Sequence, residues 1–226
     1  MELVYVVVRF FEAGGAFMYP ILMVAAVGTA IAIERYVTLT RAKLANQSVW
    51  RDLQPALAVG DFEKAREIAG RSDSAMCQLL SMGLAREGAV RRREDIEIAM
   101  DESMIEITPR LERRTHYLAT FANLATLLGL LGTVSGLIHA FGAVATVNPA
   151  DKANLLSASI SEAMNCTAFG LMTAVPIVLA HAFLQTKTSE LIASLEMAFV
   201  KFLNVLTDRQ AEQARSRRAF AQAAQG

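Results

Sequence analysis

Apolar and charged positions separate along this chain into three long blocks without fixed charge and a charged remainder. From Ala13 to Ile33 there are 21 residues without a charge, and at a rise of 1.5 Å each they give about 31 Å of helix, the thickness of a bilayer's hydrocarbon core. Residues 13–33 are therefore predicted to be a first transmembrane helix. The run exceeds the ~7–15 apolar residues of a cleavable signal. It is preceded by Glu2 and Glu12 and ends at Glu34-Arg35 instead of a small-residue cleavage site. Tyr117 to Pro149 is a second block, 33 residues broken only by the titratable His139. This exceeds what one bilayer needs, so the span at 117–147 is tilted or projects past the lipid. Leu155 to Thr186 is the third, interrupted by Glu162 and His181, and it predicts a span at 157–186 after a short hairpin at 148–156. Pro20 and Pro176 are expected to bend their helices, because neighbours or water can re-satisfy the lost hydrogen bonds. Residues 1–12 carry Leu3, Val6, Val7 and Phe10 at helical spacing, an amphipathic piece that either lies along the membrane surface or extends the first span.

The charged remainder keeps a helical period. Between Trp50 and His116 the apolar positions are Leu53, Leu57 and Val59; Ala65, Ile68 and Ala69; Met76, Leu79, Leu80 and Leu84; Ile96, Met100, Met104, Ile107 and Leu111. Gly60-Asp61, the Gly70 to Asp73 stretch and Gly88 punctuate them, so residues 34–116 are predicted to form a helical bundle. One helix is expected to start near Arg93 and run, bending at Pro109, straight into the second span, and the third span to continue through 187–226 to about Arg218. The fold expected is all-α: a polytopic membrane protein with three transmembrane helices, two of them very long and extending into a cytoplasmic bundle. The alternating charges from Glu94 to Arg114 read as a solvated face, with subunit contacts as the alternative.

Composition agrees with a membrane protein, since 54% of residues are apolar and 19% charged, against about 45–50% and 25% in soluble domains. Formal charge is zero, so no global field draws nucleic acid, and there is no phosphate-binding loop or zinc-type Cys/His spacing. With no candidate nucleophile, base pair or metal cluster, neither an enzyme nor a cofactor is expected. Cys77 and Cys166 fall in different environments and form no disulfide framework. Orientation follows from Lys and Arg: fourteen lie in 34–116 and six after residue 186, against Arg9 alone before the first span and Lys152 alone in the hairpin. The N-terminus and hairpin are expected outside, in the periplasm, and the large loop and C-terminus in the cytoplasm.

Within the spans, Gly132, Gly136 and Ala140 repeat every four residues, a small-residue stripe that admits another helix closely. Gly129 and Thr133 share much of that face, and Ala163, Thr167, Gly170 and Ala174 form a second small series on the third span. The sharper signal is Glu162, because a carboxylate in an apolar span is costly and faces a bundle interior or a water path. The alternative is a solvated carboxylate at the outer interface. At 100° per residue, Thr173 falls within about 20° of Glu162 whereas Thr167 is about 140° away, so one helix does not aim both Glu162 and Thr167 at one spot. His139 and His181 read as structural or interfacial groups.

The string LGLLGTVSGLIHAF (Leu128–Phe141), followed after the hairpin by ISEAMNCTAFGLMTAVP (Ile160–Pro176), resembles the paired signature of the ExbB/TolQ branch of the MotA/TolQ/ExbB proton-channel family. The Glu34-Arg35-Tyr36 ending of the first span is similar too, whereas Asn165-Cys166 departs from the small apolar residues common there. The resemblance implies a homopentamer in the bacterial inner membrane around the single helices of an ExbD/TolR-like partner dimer, working with a TonB- or TolA-like protein. It implies Thr133, Glu162 and Thr167 along the ion pathway, with the proton-carrying aspartate on the partner. Gly129, Gly132, Gly136, Ala140 and Gly170 are then the helix-packing positions. The function implied is coupling of the proton motive force to TonB-dependent import or Tol-type envelope maintenance. The alternatives are a non-conducting membrane scaffold, or a gliding or flagellar-type stator subunit, the latter disfavoured because flagellar stators of this superfamily have four spans.

Overall fold

A computed structural model of the chain describes residues 10–11, 14–86 and 93–223. Among the described residues there is no strand. The helices are α1 (Met18–Val59), α2 (Phe62–Ala69), α3 (Ala75–Arg86), α4 (Arg93–Glu112), α5 (Thr115–Val144) and α6 (Lys152–Ala223). Three helical stretches are long and apolar enough to cross a membrane: one in α1, one ending at Val144 and one in α6. Apart from Phe10 and Phe11, the amphipathic segment expected at 1–12 lies outside the described residues. The chain forms two compact units, the first made of residues up to Tyr36 and Arg114–Gln185, the second of Val37–Arg113 and the chain from Thr186 onward.

α6, with 72 residues, is the long continuation of the third span expected from the sequence, and Arg93–Val144 is the other long stretch, 52 residues with an interruption after Glu112; α1, with 42 residues, is longer than the sequence suggested. The helix expected to run from Arg93 into the second span is broken. Pro109 stays inside α4, and the Arg113 N–H closes the last turn on the Pro109 carbonyl at 3.0 Å. Arg114 then takes a left-handed conformation, φ 67°, which costs a non-glycine residue about 1–2 kcal/mol. Its side chain offsets that cost: Nη1 donates to both carboxylate oxygens of Glu34, at 2.8 and 2.9 Å. Beside it the buried Arg35 donates from Nε to the Thr115 hydroxyl at 3.2 Å. The charges ending the first apolar run thus hold the break open. Nor does Pro20 bend α1, because it sits in the first turn, where a missing N–H has no partner to lose.

In the first unit most buried positions of the α5–α6 hairpin are small, while Met18, Ile21, Leu118 and Leu184 are large side chains buried beside them. Leu118, Ala122, Ala125, Gly129, Gly132 and Ala140 are buried on α5, and Ala163, Cys166 and Ala174 on α6. Many large apolar side chains point away from this unit's interior, among them Leu127, Leu131, Ile138 and Phe141 on α5 and Met164, Met172, Val175 and Leu179 on α6. A helix apolar on all sides suits lipid or further helices. Between α1 and α6 lies an apolar cavity of about 340 Å³, lined by Ala32, Ile33, Pro176, Ile177 and Ala180 among others. Tyr36 and Phe183, which also line it, stack with ring centroids 6.2 Å apart.

The second unit is built around one large apolar cluster. Leu53 and Leu57 of α1, Ile68 of α2, Leu79, Leu80 and Leu84 of α3, and Ile96, Met100 and Ile107 of α4 share one buried cluster with Leu195, Phe202 and Leu206 of α6. Val59, expected in the core, is 73% exposed, because two residues past Leu57 a helix has turned some 200°. Met104 and Leu111 are only partly buried at the edge. The contribution of α6 is a stripe at Leu195, Ala198, Phe202 and Leu206, a spacing of three and four that holds one helix face. Asp61 caps α2, its side chain accepting from the Lys64 N–H at 3.1 Å. The acids and bases of α4, including Glu94, Asp101, Glu102, Glu106 and Arg110, are exposed.

Candidate functional site

The chemistry expected in this chain lies on the hairpin of α5 and α6, and small residues set its geometry. A Cβ on Gly129 would lie 3.3 Å from the Cα atoms of Gly170 and Thr167; one on Gly132, 3.0 Å from Cys166 Cβ; one on Gly136, 3.0 Å from Ala163 Cβ. One helix's numbers rise as the other's fall, so these are antiparallel neighbours in near-backbone contact. Gly170 repeats the pattern from the other side, where a Cβ would lie 2.8 Å from the Ala125 carbonyl oxygen. Four of the five small positions singled out from the sequence therefore meet within one chain, and the fifth, Ala140, is fully buried. Cys166, rather than Thr167, continues the buried row of α6. That thiol sits against Gly132, a role the sequence did not announce.

The hydroxyls are engaged in a specific way. Thr167 Oγ1 donates across the helix pair to the carbonyl of Gly129 at 2.8 Å, while Thr133 Oγ1 donates within its own helix to Leu130 at 2.6 Å. Thr126 does the same to Ala122 at 3.2 Å. A hydroxyl has one donor and two acceptor lone pairs, so both Thr133 and Thr167 have spent the donor and keep acceptor capacity. Toward a protonated acid or a chain of water they offer an oxygen that receives a hydrogen bond.

Glu162 faces elsewhere. Its side chain is exposed except where it lies against Gly15, at the start of the first span, whereas Thr167 one and a half turns later meets α5. This is the divergence of about 140° that helix geometry demands. Thr173, on the Glu162 face by the same geometry, is buried. His139 is exposed and His181 half-buried. Cys77 and Cys166 are both buried and free.

Outside the spans, Glu190 donates nothing but accepts from Lys43 Nζ at 2.7 Å. That hydrogen bond, then the Lys43 charge, and to a lesser degree Lys187, hold its carboxyl below its ordinary range.

Residues 71–197 match the model of the MotA/TolQ/ExbB proton channel family. The chain is 30% identical to the biopolymer transport protein ExbB of Neisseria gonorrhoeae over 82% of its own length and 90% of that protein's. It is 32% identical to an ExbB-like biopolymer transport protein of Synechocystis over 80% of this chain and 71% of the other. Similarity extends to the Tol-Pal system protein TolQ of Haemophilus influenzae, 33% identical over 48% of this chain and 46% of that one.

Proposed function

Because this chain belongs to the MotA/TolQ/ExbB proton channel family, we propose that it is the channel-forming subunit of an inner-membrane motor that couples the proton motive force to work across the envelope. Five copies form a ring around the single helices of an ExbD/TolR-like partner dimer, and a TonB- or TolA-like protein carries the work outward. The N-terminus and the hairpin near Asn148 face the periplasm; the second unit and the C-terminus face the cytoplasm, since fourteen Lys and Arg residues lie in 34–116 and six after residue 186.

The observation carrying this reading is the α5–α6 pair: a seam of glycine and alanine edged by hydroxyls whose donors are already used. The seam packs α5 closely against α6 within each chain, which leaves the outward faces of the pair to meet the neighbouring subunits and the enclosed partner helices. Thr133 and Thr167 accept hydrogen bonds from the protonated partner acid and from water, and Glu162 takes part in proton uptake. The partner supplies the acid that moves with the proton. Each proton crossing 100 mV releases about 2.3 kcal/mol, enough to bias a step between neighbouring subunits but not to unpack a helix interface.

The test of assembly is native mass spectrometry of the full chain co-expressed with a single-span partner of the ExbD type. Five copies with two partner chains is the expected mass. A stable complex that excludes such a partner would favour the scaffold reading instead.

A further inference from the structure

Glu162 and Phe169 are seven positions apart on α6, a separation that returns to within about 20° on a helix, and the chain ahead of α1 meets both. Phe11 packs edge-on against Phe169 with ring centroids 5.0 Å apart, and Phe10 does so at 6.3 Å. Gly15 stands at Glu162. A Cβ on Gly15 would run into Glu162 Oε1 and would lie 3.0 Å from Cδ and 3.3 Å from Cγ. The turn is held by the Gly14 N–H donating to the Phe11 carbonyl at 3.3 Å and the Met18 N–H to the Gly15 carbonyl at 3.2 Å. On its other side Phe17 Cβ comes within 3.4 Å of where a Cβ on Gly132 would stand. Gly15 has φ 74°, a region glycine enters freely and other residues do not. Two independent constraints, backbone angle and space, thus exclude a side chain at 15, and the carboxylate itself sets the second.

We propose that this turn is a seat for the Glu162 carboxylate. Phe10 and Phe11 anchor it on Phe169, and Gly15 is the positioning residue that lets the carboxylate lie against backbone, covering one side and fixing where the group stands. The seat rests on geometry alone, while its meaning for ion flow rests on the pathway role proposed for Glu162.

The experiment follows modification of Glu162 by a membrane-permeant carbodiimide, read by mass spectrometry on the full chain in lipid nanodiscs. Gly15→Ala displaces the carboxylate, and Phe11→Ala loosens the anchor without altering residue 15. Each should raise the modification rate about fivefold or more. Gly142→Ala, at a glycine with nothing within 4 Å, should leave the rate unchanged. Equal rates in wild type, Gly15→Ala and Phe11→Ala would overturn the proposal. Faster modification in both variants, together with normal conduction by Glu162→Gln, would uphold the seat and remove the pathway role.

Discussion

The core of the second unit and the α5–α6 contact of the first are built from opposite kinds of side chain. The second gathers leucine, isoleucine, methionine and Phe202 into one cluster drawn from five helices, as a water-soluble bundle does, and leaves its charges outside. The first buries glycine, alanine and Cys166 along the α5–α6 contact and turns many of its large apolar side chains outward, Leu127, Leu131, Phe141 and Leu179 among them. The hydrophobic effect drives the second arrangement but not the first, because lipid tails are as apolar as leucine. Close backbone approach and the few interhelical hydrogen bonds, such as Thr167 to Gly129, must hold the first together.

The sharpest way to separate the units is to open a hole in one of them. Phe202 is fully buried, so Phe202→Ala should cost about 3–5 kcal/mol, visible as lost hydrogen-exchange protection in α2, α3 and α4 while α5 stays protected. The converse is overpacking: Gly136→Leu forces a side chain against Ala163 and costs about 1–3 kcal/mol or more. It should abolish the assembled complex in native mass spectrometry while leaving protection of α3 unchanged. Smaller still is Thr167→Val, which keeps the shape and removes one interhelical bond worth about 0.6 kcal/mol. Here the loss should show as slower partner-dependent proton flux with assembly intact; unchanged flux would make Thr167 a packing residue only.

The smallest effect belongs to the surface of the second unit. The folded-state pKa of Glu190 lies below its unfolded value, so the Lys43–Glu190 pair stabilises above the unfolded carboxylate pKa, and that contribution is lost as pH falls through the folded one. Glu190→Gln should therefore narrow slightly the fall in melting temperature between neutral and acid pH. The effect is small because both groups are largely solvated.

How much of this could be read from the sequence followed the physics of each unit. Missing charge marks a bilayer-length helix whatever it packs against, so three apolar helices were legible, as were the glycines at 129, 132, 136 and 170. Helical spacing also exposed most of the second core, from Leu53 to Ile107. The break at Arg114 was not legible, because it depends on Glu34 reaching it from 80 positions away. The contribution of α6 to the second core was available at Leu195, Ala198, Phe202 and Leu206, had the same spacing rule been carried past the third span. Gly15 gave no signal of its own, since a glycine before a helix is ordinary until Glu162 is seen beside it.

The most direct measurement is proton flux into liposomes holding the full chain with a single-span partner of the ExbD type, beside vesicles with Glu162→Gln and vesicles lacking the partner. The account predicts acidification that requires the partner and is lost in Glu162→Gln although the complex still assembles. Undiminished, partner-dependent flux in Glu162→Gln would contradict it.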